Sequence, residues 1–292
     1  MKFGTLKTGS QYELVGIQQS ADGLKAIPVQ QLDNTMPSTL TELLQDEDLL
    51  TRAIATLNTA FSNGMGTSVT TEQLGPPIPV PGKILCIGLN YKDHAIETGA
   101  EIPSEPVVFG KFGNTIIGPE ETILLPKVSD NVDYEAEMVA VIGKTAKHLT
   151  AENALEHIAG YMAGHDVSAR DWQKGRPGKQ WLLGKSPDTF APIGPYFVTA
   201  DEIADPHQLP IQLRLNGKTM QNSNTRELIF KLEALLVHLS QLMTLQPGDI
   251  IFTGTPAGVG MALDPQVFLK SGDVVEVEIE GLGILRNTVA AE

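Results

Sequence analysis

Apolar positions along most of this chain alternate with polar ones or fall in short blocks, the two-residue period of strands rather than the longer period of helices. Two such blocks, Tyr12-Glu13-Leu14-Val15-Gly16-Ile17 and Leu24-Lys25-Ala26-Ile27-Pro28-Val29, flank Ala21-Asp22-Gly23, a hairpin turn signal. The period then changes. Leu40, Leu43, Leu44, Leu50, Ile54 and Leu57 recur at helical spacing, and Thr39 with Glu42 forms a capping box, so a helix is predicted there. It ends before Gly75-Pro76-Pro77-Ile78-Pro79-Val80-Pro81-Gly82. Proline fixes φ and lacks a donor, so this stretch is neither helix nor central strand and marks a boundary. The expectation is a small N-terminal α/β domain over 1–75 and a larger domain over 76–292. The first is too short for a large core and should lean on the second.

The larger part reads as strands at 84–88, 107–109, 123–125, 138–142, 211–215, 250–253 and 274–279. Two helices interrupt them. One covers 151–158, with Thr150 as N-cap and Gly160 past its end. The other covers 226–243, with Leu228, Leu232, Leu235, Leu236, Leu239 and Leu242 forming one core-facing stripe, stopped by Pro247-Gly248. With 28 Gly, 19 Pro and 41% apolar residues, the composition fits a turn-rich globular fold, a mixed β-rich α+β class.

Charge narrows the partners. The formal net charge is −14, and no dense Lys/Arg run offsets it, which excludes nucleic acid and anionic membrane as expected partners. An anionic substrate then needs local cations or a metal. A single cysteine, Cys86, allows no internal disulfide, and its apolar run makes it a buried strand residue. No export signal or long apolar span stands out, so a cytoplasmic location is expected.

Candidate chemistry begins at 133–143, Asp133-Tyr134-Glu135-Ala136-Glu137-Met138-Val139-Ala140-Val141-Ile142-Gly143, read as one strand. Alternation places Glu135, Glu137, Val139 and Val141 on one face, and the apolar surroundings make this an interior strand. Two carboxylates side by side in an interior repel each other and lose hydration, so they protonate or share a cation, unless the strand end is a wet rim. Asp166, delivered by the apolar strand before His165-Asp166-Val167-Ser168-Ala169-Arg170-Asp171, supplies a third oxygen donor. Three carboxylates and no sulfur favour Mg²⁺, with Mn²⁺ or Ca²⁺ as alternatives, over Zn²⁺. A cationic side chain filling the gap between Asp166 and the glutamate pair would undercut the metal and, with it, the enzyme reading. Asp171 is expected to pair with Arg170 or nearby backbone.

Around these, His94 and Glu97 share a helix face at i, i+3 spacing, where a carboxylate orients an imidazole for proton transfer; the same spacing is common on ordinary surfaces. Lys185 ends an apolar run and either snorkels or reaches an anion. Arg170 and Gln173 share a face and offer donors to an oxyanion. Gly254-Thr255-Pro256-Ala257-Gly258-Val259-Gly260 follows a strand and can hold an anion with backbone N–H groups. His148, His157, His207 and His238 read as structural, and His165 alternates away from Asp166.

In order along the chain, Gly88-Leu89-Asn90-Tyr91 with His94 and Glu97, Asp133-Tyr134-Glu135-Ala136-Glu137, His165-Asp166-Val167-Ser168-Ala169-Arg170-Asp171, Lys179-Gln180-Trp181-Leu182-Leu183-Gly184-Lys185 and Gly254-Thr255-Pro256 resemble the fumarylacetoacetate hydrolase superfamily. Trp181 to Lys185 and Asp188-Thr189-Phe190 resemble its domain-containing protein 2 group. The resemblance implies a β-sandwich roll in a homodimer, with Glu135, Glu137 and Asp166 as Mg²⁺ ligands. It implies His94 and Glu97 as a base pair on a lid, with Lys185, Arg170, Gln173 and Thr255 as catalytic or substrate contacts. The expected reaction runs through an enolate of a small anionic 2-oxo acid or 1,3-dicarbonyl acid: C–C hydrolysis of an acylpyruvate, keto–enol tautomerisation of oxaloacetate, or oxaloacetate decarboxylation. The rival class is a non-catalytic binder of Mg²⁺ or a 2-oxo acid, which has no need of the His94–Glu97 pair.

Overall fold

The computed structural model describes every residue except Ser10 and Asp22. One large sheet runs from edge to edge through Thr67–Val69, Gly23–Pro28, Gln11–Ser20, Lys2–Thr8, Ala191–Thr199, Ile158–His165, Ala136–Ile142, Ile250–Phe252, Ile84–Gly88 and Val107–Lys111. Neighbours pair antiparallel except Ile250–Phe252, which lies parallel to Ile84–Gly88. A second sheet of Lys218–Asn224, Pro210–Leu215, Val274–Ile279, Gly283–Ala291 and Thr122–Leu125 packs across the first.

The strand Ala136–Ile142 is buried along its whole length. Its alternation splits the interior in two. Ala136, Met138, Ala140 and Ile142 face the second sheet and pack with Ile211, Leu213, Val275 and Val277. Val139 and Val141 face the other way, into a core with Phe3, Leu14, Leu43 and Leu57. Residues 1–75 therefore continue the same sheet and share that core. Lys2 and Phe3 pair with Val198 and Phe197. The hairpin signal at 21–23 lies where Ser20 pairs with Gly23; Asp22 itself lies outside the described residues.

Three element predictions need correction. The helix after Thr39 is two helices, Leu40–Leu43 and Glu47–Ser62, because the Asp46 carboxylate caps the second by accepting from the Asp48 and Leu49 N–H groups. The 151–158 helix is absent. Asn153 accepts from the Thr150 N–H at 2.9 Å, a local bond that competes with helix, and only the 3₁₀ turn Leu155–His157 forms. The 226–243 helix starts late, at Leu232, and ends at Leu242. Asn90 draws the preceding segment aside by accepting from the Phe230 N–H and donating to the Phe230 carbonyl. His207 then accepts from the Leu232 N–H at 3.2 Å, so this histidine does have a partner, a helix start.

Candidate active site

The expected single strand over 133–143 is broken at Tyr134–Glu135. Val132–Asp133 pairs with Ser168–Ala169 in a small separate sheet, and the interior strand begins at Ala136. The break has a cause. Asp133 is fully buried and accepts from Arg170 Nε at 2.8 Å, Gly260 N–H at 2.7 Å and Met261 N–H at 3.1 Å, which pulls it out of line. Glu135 stays beside the strand because its carbonyl accepts from the Asp166 N–H at 2.9 Å. That bond brings the two strands' carboxylates together: Glu135, Glu137 and Asp166 each offer an oxygen within 4.8 Å of the others, and all three are buried.

Cations crowd the same place. Lys185, at the end of the short helix Trp181–Lys185, donates to Glu135 Oε2 at 2.7 Å and Asp166 Oδ2 at 2.6 Å. Arg170 donates to Glu135 Oε1 at 2.6 Å and to Gln173 Oε1 at 2.9 Å, so Arg170 and Gln173 do share a face. Asp171 does not pair with Arg170; it accepts from Ser129 Oγ. Burial would raise the Glu135 carboxyl, but Arg170 and then Lys185 pull it far below the usual range. Glu137 goes the other way. Burial, Asp166 and Glu135 push it well above the usual range.

A lysine thus stands between two of the three carboxylates, the arrangement that weighs against a metal. Two observations outweigh it. The buried cluster holds four carboxylates, Asp133, Glu135, Glu137 and Asp166, against three cations, Lys111, Arg170 and Lys185. It is one positive charge short, and Glu137 carries the deficit. Asp166 Oδ1 is also buried without a hydrogen-bond donor, for although Lys111 Nζ lies 2.7 Å away, its protons go to the Val167, Lys185 and Phe190 carbonyls at 3.0, 2.6 and 2.7 Å. A buried anionic oxygen with a free lone pair beside an uncompensated carboxylate fits a hard cation.

The glycine-rich loop holds anions, and they are the protein's own. Gly254 N–H donates to Glu137 Oε2 at 2.7 Å and Gly258 N–H to Glu97 Oε1 at 2.9 Å. Gly254 has φ +104°, and a Cβ there would meet the Asn90 Cβ at 2.7 Å, so only glycine brings this N–H to the carboxylate. Thr255 Oγ1 accepts from Gln221 Nε2 at 2.8 Å, which leaves the hydroxyl proton to donate elsewhere.

Glu135, Glu137, Asp166, Arg170, Gln173 and Lys185 line one pocket, with His94 and Thr255 on its wall and a cavity of about 40 Å³ between them. Glu97 stands behind His94, its Oε2 3.4 Å from Nδ1, on the helix Lys92–Thr98. His165 is buried with Nε2 unpartnered, and burial together with Lys111 pushes its pKa down to about 3. Sequence reasoning missed Lys111, Asp133 and Gln221. Lys111 ends an apolar run just as Lys185 does, so the signal that selected one would have selected the other.

Residues 83–290 match the family model described as fumarylacetoacetate (FAA) hydrolase C-terminal. The mitochondrial oxaloacetate tautomerase fahd2 of Xenopus laevis is 48% identical over 269 residues, covering 92% of this chain and 83% of that protein. The mitochondrial oxaloacetate tautomerase FAHD2A of Bos taurus is 46% identical over 275 residues, covering 93% and 86%. The solved fumarylacetoacetate hydrolase of Exiguobacterium antarcticum superposes with a TM-score of 0.81 at 33% identity, covering 100% of both chains. The mixed α+β sandwich roll is therefore shown by solved relatives. The cytoplasmic expectation does not stand, because relatives this similar are named as mitochondrial proteins. Among the described residues no helix is long and apolar enough to cross a membrane. By the extent of these matches, the chain is an enzyme of the fumarylacetoacetate hydrolase family.

Proposed function

We propose that this chain interconverts the keto and enol forms of oxaloacetate, a small anionic 2-oxo acid, with Mg²⁺ as its metal. The observation that carries the reading is one pocket holding three buried carboxylates that belong to a cluster of four acids against three cations, with His94 on its wall. The names of the Xenopus and Bos relatives select tautomerisation within the family. Glu135, Glu137 and Asp166 would hold the ion, which when bound supplies Lewis-acid polarisation of the 2-oxo group.

The chain's own groups do the rest. His94, oriented by Glu97 behind it, takes the C3 proton and delivers it to the C2 oxygen to give the enol, and carries it from that oxygen to C3 in the reverse direction. Glu97 in turn is fixed by the Gly258 N–H, so the imidazole has one preferred orientation. Lys185, Arg170 and Gln173 set positive charge and donors against the oxygen that gains charge. Thr255, its oxygen already accepting from Gln221, donates to a substrate carboxylate. We place residues 1–75 as a supporting unit that adds no group to this pocket. A homodimer is supported by the open sheet edge Val107–Lys111, where Val108 and Phe112 lie exposed beside Leu182 and Leu183.

The test follows the enol absorbance of oxaloacetate with EDTA-treated protein, then with Mg²⁺, Mn²⁺ or Ca²⁺ restored. Expected is metal-dependent relaxation between tautomers with total oxaloacetate conserved. His94→Ala should slow it by about 10²–10⁴-fold. Relaxation at the buffer rate, alongside cleavage of an acylpyruvate, would replace this reading with C–C hydrolysis.

A further inference from the structure

A dicarboxylic acid brings two negative groups, and the inner cations, already paired with the protein's carboxylates, have few donors left beyond those facing the reacting oxygen. Arg170 spends Nε on Asp133, Nη1 on Gln173 and Nη2 on Glu135. Lys185 spends its ammonium on Glu135 and Asp166. Lys111 points its protons at three carbonyls. One cation of the pocket remains. Lys174, next to Gln173 at the rim, forms no ion pair among the described residues. Its side chain is exposed, and Nζ rests 3.6 Å from Met261 Sδ, a weak acceptor on the opposite wall.

The segment around Lys174 has its own charge pattern. Residues 172–187 carry Lys174, Arg176, Lys179 and Lys185 and no Asp or Glu, within a chain of net charge −14. Arg176 stacks on the Trp172 ring at 4.4 Å, which holds this basic loop against the body. A local positive rim on an acidic protein attracts a dianion more strongly than a monoanion.

We propose that Lys174 binds the distal carboxylate of a dicarboxylic 2-oxo acid and so makes the site selective for dianions over monocarboxylic 2-oxo acids of equal length. The inference rests on the proposed pocket chemistry only for which end of the acid lies inward. The 2-oxo acid end faces the carboxylate floor, and the far carboxylate leaves by the rim, where it displaces the thioether from Lys174. Arg176 and Lys179 steer the dianion in but make no specific contact.

Oxaloacetate and 2-oxobutanoate differ in that far carboxylate, and Trp181 on the pocket wall reports binding by fluorescence. In Mg²⁺ buffer, wild-type protein should bind oxaloacetate about tenfold tighter than 2-oxobutanoate, the scale of one charge-assisted hydrogen bond. Lys174→Met should erase that preference by weakening oxaloacetate alone, and Lys174→Arg should restore most of it. Equal loss for both acids, or no loss for either, overturns the assignment. If wild-type protein shows the Lys174-dependent preference yet leaves tautomer relaxation at the buffer rate, the proposed reaction fails and this inference stands.

Discussion

Arg170 and Arg214 make the same figure in two regions of the molecule: one guanidinium bridging two carboxylates. Arg214, on the strand Pro210–Leu215, reaches Glu276 at 3.0 Å and Glu278 across the neighbouring strand, with their side chains 27% and 46% exposed. Arg170 reaches Asp133 and Glu135, whose side chains are 0% and 7% exposed. Water screens the first group, and burial removes most of that screening from the second. An exposed network decorates a fold, whereas a buried one commits it, because removing one member strands the others.

The largest effect expected from that contrast is in Arg170→Met. It should destabilise the protein by about 3–5 kcal/mol in urea unfolding, the scale for orphaning buried charges. A loss under about 1 kcal/mol would put the two arginines on the same footing. An intermediate effect concerns His165, which the same dry surroundings keep neutral, with a folded pKa of about 3 against an ordinary 6.5. Between those values the unfolded chain binds a proton that the folded one does not. Stability should therefore be intact above pH 6.5 and fall as pH drops toward 3, by at most about 1.4 kcal/mol per pH unit from this group. The unfolding free energy of His165→Gln should lack that one-proton slope; parallel pH curves for the two proteins would deny the burial argument. The smallest effect belongs to Arg214→Met, less than about 1 kcal/mol and shrinking further in high salt.

Local pattern carried the strands well, because alternation and turn residues act within a few positions. Ala136–Ile142 and Val274–Ile279 were legible for that reason. What failed was decided by side chains bonding to backbone. Asp46 restarts a helix, Asn153 prevents one and Asn90 delays one, and hydrophobic spacing is blind to all three. At the site, the carboxylates stood out as charges in apolar runs. Their partners did not. Gln221, which holds both the Ala136 N–H and the Thr255 hydroxyl, sits on an ordinary-looking strand and acquires its role through contacts 85 and 34 residues away. Lys111 is similar, for its meaning lies in carbonyls of Val167, Lys185 and Phe190 that no spacing rule connects to it.

The parallel strand Ile250–Phe252 lies between Ala136–Ile142 and Ile84–Gly88, and so joins the carboxylate half of the pocket to the half bearing Phe109 and the His94 helix. A ribosome delivers that keystone only after both of its neighbours, Ile84–Gly88 and Ala136–Ile142. Until then two apolar strand borders stay open on the nascent polypeptide, prone to pair with the wrong neighbour. Premature termination before residue 250 would accordingly yield sticky, inactive product rather than a smaller working enzyme.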